Sequence, residues 1–455
     1  MQTHLSPEYQ NTVDGQDAEA ILRKCVHCGF CTATCPTYQI LGDELDGPRG
    51  RIYLIKQLLE GEVPTRKTQL HLDRCLTCRN CETTCPSGVQ YGHLVDIGRK
   101  LVDAKVPRPA AEQALRWTLK EALPSPLFAP AMKLGQAVRG LLPASLKNKV
   151  PARQSAGVWP SQTHARQVLL LAGCVQPAMQ PNINAATARV LDAAGIQSVL
   201  AAQTGCCGAV KFHLNDQEGG KAQMRANIDA WWPYVQGQDG DGTGRHAVEA
   251  IVMNASGCGV TVKEYGHILK GDAQYAAKAQ RISQLTRDLS ELLPDLVPLL
   301  QAKLKPAALA PAMVLHPPCT LQHGQQLKGG IEKHLGDLGF TLRTSVNEAH
   351  LCCGSAGTYS VLQPAIALQL RDRKLGHLAQ TQALLKAQMQ TGTQTQRQAQ
   401  SSATATAAIT APAPAPAPAP EPVIVSANIG CITHLQSGTA TPVRHWIEVL
   451  DEALA

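Results

Sequence analysis

Residues 25–36 read CVHCGFCTATCP and residues 75–86 read CLTCRNCETTCP, so one uneven pattern of four cysteines and a proline, C-x2-C-x2-C-x3-C-P, occurs twice. Size and composition decide which uses of cysteine are open to such a chain. The 455 residues leave room for two or three domains with a sizeable core. The 16 cysteines therefore need not be disulfide staples, which serve short chains that cannot bury enough apolar surface. The opening stretch MQTHLSPEYQNTVDGQDAEA is polar and acidic, without the basic-then-apolar order of a secretory signal, so a reducing, cytoplasmic compartment is expected. No stretch approaches the roughly 18 apolar residues of a spanning helix, so any membrane role would be peripheral, on the cytoplasmic face. The net charge of +7 is mild and lacks basic runs or aromatic-rich basic stripes, which argues against nucleic acid as a partner.

Coordination chemistry accounts for the doubled pattern. It is the spacing of bacterial two-cluster ferredoxins, where three close cysteines cap one cubane and the fourth ligates the other. The expected ligands of one [4Fe-4S] cluster are Cys25, Cys28, Cys31 and Cys85; those of the other are Cys75, Cys78, Cys81 and Cys35. Pro36 and Pro86 fix φ and remove an N–H donor just where the chain must turn the fourth thiolate across. Zinc would use two C-x2-C pairs and leave a third cysteine over in each run. His27, between two ligands, is expected to shape hydrogen bonding around a cluster rather than to bind it.

Composition divides the rest. Residues 17–105 carry the two runs, joined by a helix on which Ile52, Ile55, Leu58 and Leu59 recur at helical spacing. Residues 106–164, rich in Pro, Leu and Ala, read as a helical connector. From 165 onward short apolar runs alternate with helical patterns, the mark of α/β units, here 165–300 and 310–455. Within the second, 378–422 is rich in Gln, Thr, Ala and Pro and is expected to be a disordered insertion.

The remaining eight cysteines repeat an order. VLLLAG leads to Cys174, TGCCGAV supplies Cys206 and Cys207, and AIVMNASGC ends on Cys258; AMVLHPPC, LCCGSAG and PVIVSANIGC then supply Cys319, Cys352 with Cys353, and Cys431. Each set sits at the ends of expected strands, where α/β folds collect ligands, and an internal duplication is the simplest account. Four soft ligands per half suit a further iron–sulfur cluster or a zinc ion. His316, His323 and His434 lie near these loops and are expected to be satisfied structural histidines.

The stretches ILRKCVHCGFCTATCPTYQILGDELDGPRGRIYLIKQLLEG, HLDRCLTCRNCETTCPSGVQYG, GCCGAV, NIDAWWP, SGCGVTVKEYG, HLCCGSAGTYS and VRHWIEVL closely resemble the iron–sulfur subunits of bacterial glycolate oxidases, over nearly the whole chain except 378–422. More broadly, the two halves after 165 resemble the cysteine-rich CCG domains of heterodisulfide reductase, anaerobic glycerol-3-phosphate dehydrogenase and lactate-utilisation proteins. The resemblance implies a fold with a mainly helical two-cluster ferredoxin-type domain followed by duplicated α/β units. It implies an electron relay with no catalytic residue of its own: FAD on partner subunits oxidises glycolate to glyoxylate, and this chain passes electrons to a quinone-type acceptor. No G-x-G-x-x-G opens a βαβ unit in this chain. Ala255 and Asn428 stand where the fullest CCG pattern has a fifth cysteine, so the non-cubane clusters of heterodisulfide reductase are not carried over. An iron–sulfur subunit of a lactate or glycerol-3-phosphate dehydrogenase, or a scaffold with structural zinc in its C-terminal region, remain alternatives.

Overall fold

A computed structural model describes residues 1–143, 147, 150–237, 247–309, 311–403 and 421–454, with backbone alone over 391–403. The N-terminal part is helical. Helices Val13–Lys24, Pro48–Leu59, Arg66–Asp73 and Tyr91–Lys105 pack around Ala18, Leu22, Leu72, Leu94 and Val95. The helix between the cysteine runs starts at Pro48, whose fixed φ suits a first helical position, and buries the expected Ile52, Ile55, Leu58 and Leu59. Helices Ala110–Ala122 and Phe128–Ala137 follow in the connector.

Among the described residues, eight short strands then form two sheets: β1 Arg166–Leu170, β2 Ile196–Val199, β3 Ala250–Met253 and β4 Thr286–Asp288, followed by β5 Met313–Leu315, β6 Leu342–Thr344, β7 Val423–Ser426 and β8 Val443–His445. The orders are β2-β1-β3-β4 and β6-β5-β7-β8, every pairing parallel. One topology written twice is what duplication of a single α/β unit leaves behind. The central strands carry unbroken apolar runs such as Ile251, Val252 and Met253, each almost fully buried, as expected of parallel strands covered on both faces.

The two units share a core. Helix Asn182–Ala193 of the first lies against helix Trp446–Leu454 of the second, and Arg189 binds Asp451 in a bidentate pair at 2.6–3.1 Å. The segment expected to be disordered from 378 begins otherwise. Helix Pro364–Ala403 runs through it, and Leu378, Thr381 and Leu385 are buried at helical spacing. Gln and Ala are good helix formers, and three inward positions suffice to hold such a stretch on a core. Gln382 Nε2 donates to Pro422 O at 2.7 Å, so the two ends of the low-complexity excursion meet. Residues 404–420 of that expectation lie outside the described residues.

Candidate metal centres

Both N-terminal runs fold the same way. Cys25 and Cys75 each follow a helix; the chain then enters the left-handed region twice, at His27 (φ 56°) and Gly29 (φ 85°) in the first run, and at Thr77 (φ 52°) and Arg79 (φ 59°) in the second. Alternating right- and left-handed residues turn successive N–H groups inward, making a concavity for an anion such as a thiolate-bound cluster. Thr77 N–H donates to Cys75 Sγ at 3.4 Å. Three of the four left-handed residues are not glycine, so only Gly29 signalled this turn in the sequence.

The thiols sort into two cavities. Cys25, Cys28, Cys31 and Cys85 line one, together with Pro86 and Val89; Cys35, Cys75, Cys78 and Cys81 line the other, beside Arg51 and Tyr91, and Cys81 also reaches the first. Each fourth cysteine thus faces across to the partner run. Burial pushes the Cys31 thiol up to about 11, and burial, together with neighbouring thiols, raises Cys78 and Cys81 well above the ordinary value. Such a set carries negative charge comfortably only when a cation shares it, and the convergent thiols and inward N–H groups fit iron–sulfur clusters. Tyr91 O–H donates to Cys75 Sγ at 3.5 Å, and the Thr37 hydroxyl lies 3.3 Å from Cys35 Sγ. The His27 ring makes no such bond, its buried Nε2 having no partner; its contribution is the left-handed backbone.

In both later units the cysteines gather at the C-terminal ends of the strands. Cys174 follows β1, Cys206 and Cys207 follow β2, and Cys258 lies in the first turn of helix Ser256–Lys263 after β3; Cys319, Cys352 with Cys353, and Cys431 follow β5, β6 and β7. This is the crevice at the switch of strand order, where open α/β sheets bind ligands. In the first unit the thiols of Cys174 and Cys207 beside it pull Cys206 down to about 3, while their proximity to Cys206 raises both of them. In the second, Cys319 Sγ lies 3.7 Å from Cys352 Sγ. The glycine after each vicinal pair is obligatory. Gly208 (φ 93°) and Gly354 (φ 88°) would bring a Cβ to 2.8 Å from Gly220 O and 2.4 Å from Ala367 O.

The three expected structural histidines divide. His323 bridges Thr83 Oγ1 at 2.9 Å and His350 O at 2.8 Å, docking the second N-terminal run on the second unit; His434 Nε2 bonds Ala367 O at 3.1 Å. His316 is different. It is 1% exposed with both ring nitrogens unpartnered, and burial drives its pKa well below the ordinary histidine value.

Sequence patterning did not reveal how the units meet. Arg79, 9% exposed, donates to Glu264 Oε2 at 2.8 Å, and His93 Nε2 lies 3.1 Å from Glu264 Oε1 while stacking on His267 at 4.0 Å. Around the second unit, Leu76, Cys78, Cys319, Cys352 and Tyr359 pack together, and Tyr359 O–H donates to Arg74 O at 2.9 Å. The outcome is one cleft of about 1750 Å³ onto which Cys75 and Cys78 open alongside Cys174, Cys206, Cys258, Cys319, Cys352 and Cys431. Among the described residues no helix is long and apolar enough to cross a membrane.

Comparison with known proteins agrees with this architecture. A family described as 4Fe-4S dicluster domain matches residues 21–89, and one described as cysteine-rich domain matches 168–263 and 313–389. The glycolate oxidase iron-sulfur subunit of Escherichia coli K12 is 50% identical over 456 residues, covering 100% of this chain and 99% of that protein. A probable glycolate oxidase iron-sulfur subunit of Bacillus subtilis is 28% identical, over 83% of this chain and 88% of its own length. Lactate utilization protein A of Anoxybacillus flavithermus is 28% identical over 48% of this chain and 84% of its own.

Proposed function

Because the chain belongs to the family of glycolate oxidase iron–sulfur subunits, we propose that it is the electron-transfer subunit of a glycolate-oxidising complex. It takes electrons from flavin-bearing partner subunits and delivers them towards a quinone-type acceptor. Oxidation of glycolate to glyoxylate releases two electrons and two protons on the partner; [4Fe-4S] clusters, when bound, supply one-electron redox steps that divide the pair. The residues expected to hold them are Cys25, Cys28, Cys31 and Cys85 for one cluster and Cys35, Cys75, Cys78 and Cys81 for the other.

The observation that carries this reading is the crossed sorting of those eight thiols into two adjacent cavities. The chain's own contribution is positional. Cys28 is exposed and sits beside the exposed Val26 and Phe30, which favours this edge as the face toward a partner. Cys35, Cys75 and Cys81 are buried, and Cys78 packs against the second cysteine-rich unit, so charge arriving there meets fixed dipoles rather than mobile water. Association with a membrane, if the acceptor is a lipid-soluble quinone, would be peripheral.

The test uses the assembled complex. In Cys28→Ser, glycolate should still reduce the partner's flavin, while reduction of an external quinone analogue should fall by at least a hundredfold; turnover equal to the parent's would refute the assignment. Lactate-dependent flavin reduction without glycolate-dependent reduction would replace the substrate and leave the relay standing.

A further inference from the structure

The two cysteine-rich units share a topology but differ at one buried position. Three residues before the first cysteine of each, the chain has Leu171 in the first unit and His316 in the second. Leu171 packs in an apolar cluster with Cys206 and Cys207. His316 occupies the corresponding place as a polar group with nothing to bond: 1% exposed, neither ring nitrogen partnered. It cannot swing out to water. Its N–H donates to Val425 O at 2.8 Å and its carbonyl accepts from Ser426 Oγ at 2.9 Å, which pins it between β5 and β7. Buried polar side chains nearly always have partners, so an orphaned imidazole calls for a specific explanation.

Its surroundings supply one. A ring nitrogen of His316 and the sulfurs of Cys353 and Cys431 lie within 4.8 Å of one another, all three residues buried. The remaining two thiols of the unit, Cys319 and Cys352, have sulfurs 3.7 Å apart. Neither belongs to the close group of His316, Cys353 and Cys431, whose mutual spacing within 4.8 Å is near the roughly 3.8 Å that separates two thiolates bound to one tetrahedral ion at about 2.3 Å. Asn428, at the position of the missing fifth cysteine, donates its amide to Cys431 Sγ at 3.7 Å, the kind of outer contact that orients a thiolate ligand.

We infer that the second cysteine-rich unit binds a single thiophilic divalent cation of the zinc type through His316, Cys353 and Cys431, with a fourth ligand from the Cys319–Cys352 pair. Thiol protons leave to solvent as the ion binds, and no electron is transferred. The first unit, with Leu171, offers four thiols and no imidazole, so the duplicated sites are chemically distinct. The centre lies between the second N-terminal run and the shared core, where it would fix the β5, β6 and β7 loops against Cys78.

The experiment measures zinc and iron per chain in the anaerobically purified complex after dialysis against a chelator, with zinc-edge X-ray absorption to identify ligands. The parent should retain zinc with one nitrogen among sulfur neighbours. His316→Leu, which installs the first unit's own residue, should hold one zinc fewer per chain while keeping the roughly eight irons of two cubane clusters. Should that variant lose its iron as well, through misfolding, His316→Cys decides: retained zinc with an all-sulfur shell supports the site. Zinc held equally by His316→Leu, a nitrogen signal unchanged in His316→Cys, or no zinc in the parent would overturn it. Quinone reduction by the complex reports the relay separately, so failure of one reading is distinguishable from failure of the other.

Discussion

Arg51 lies 1% exposed at the wall of the cavity lined by Cys35, Cys75, Cys78 and Cys81, with its Nε donating to His71 O at 2.7 Å and its NH1 to Thr37 Oγ1 at 3.2 Å. Asp46 partners it at 3.5 Å and also accepts from Arg74 at 2.8 Å. A guanidinium stays charged, and a fixed positive charge near a cluster favours its reduced, more negative state. In Arg51→Met the potential of that cluster should therefore fall on the order of 60 mV, the equivalent of about 1.4 kcal/mol for one electron. Stability should drop by up to about 3–5 kcal/mol, since Asp46 loses a buried partner, and Arg51→Lys should restore most of the potential. Redox titration followed by electron paramagnetic resonance checks this; an unmoved potential in the methionine variant would show that the charge is screened from the cluster. At this scale the crossed sorting of the eight N-terminal thiols into two cavities was legible, because their uneven doubled spacing suits ligation only in pairs. Arg51 was not, since an arginine on an amphipathic helix reads as a solvated surface group, and His316 was taken as satisfied because sequence carries no record of hydrogen-bond partners.

Between elements, the clearest device is the contact of Arg79, at the start of helix Asn80–Thr84, with Glu264, at the end of helix Ser256–Lys263. Burial alone would raise the Glu264 pKa, but Arg79 and His93 overcome it and hold the carboxyl well below the usual carboxylate range. A carboxylate whose folded pKa is depressed stabilises fully above its unfolded value, about 4.3, and loses that contribution as pH falls below it. Glu264→Gln should accordingly cost about 3–5 kcal/mol by leaving Arg79 buried without its counter-charge. Its deficit in Tm relative to the parent should be present at pH 8 and shrink below about pH 4.3. A deficit absent at pH 8 would assign the contact to a titrating partner instead of the Arg79 guanidinium. The strands were legible from short apolar runs, and the joining helix Pro48–Leu59 from its periodicity. The onset of the excursion at 378 was misread because Gln- and Ala-rich text resembles disorder in composition, while Leu378 and Leu385 reveal burial only once the helix is wound.

Across the whole molecule, the repeats foretold two like units, and the parallel sheets ordered β2-β1-β3-β4 and β6-β5-β7-β8 are their outcome. The convergence of three units on one cleft was not foretold, because it depends on contacts such as Arg79–Glu264 and Asn80–His350 between residues 185 and 270 positions apart, which no local pattern encodes. That convergence makes the two N-terminal cavities unequal. Around one, Cys28 is exposed and Phe30 is 60% exposed; around the other, Cys35, Cys75 and Cys81 are each at most 7% exposed, and Cys78 is half-buried against the second unit at the edge of the cleft. Oxidants reach a cluster through its solvent-facing thiolates and sulfides, so exposure should order the damage. Titrating the anaerobic complex with ferricyanide should release about four irons in a first phase, from the cluster lost in Cys28→Ser, and the remaining four only at higher excess. The signal that survives the first phase should be the one whose potential responds to Arg51. Loss of both signals together would mean that the second cavity is as open to solvent as the first, and the order of release would then have to be sought in cluster potentials instead of in burial.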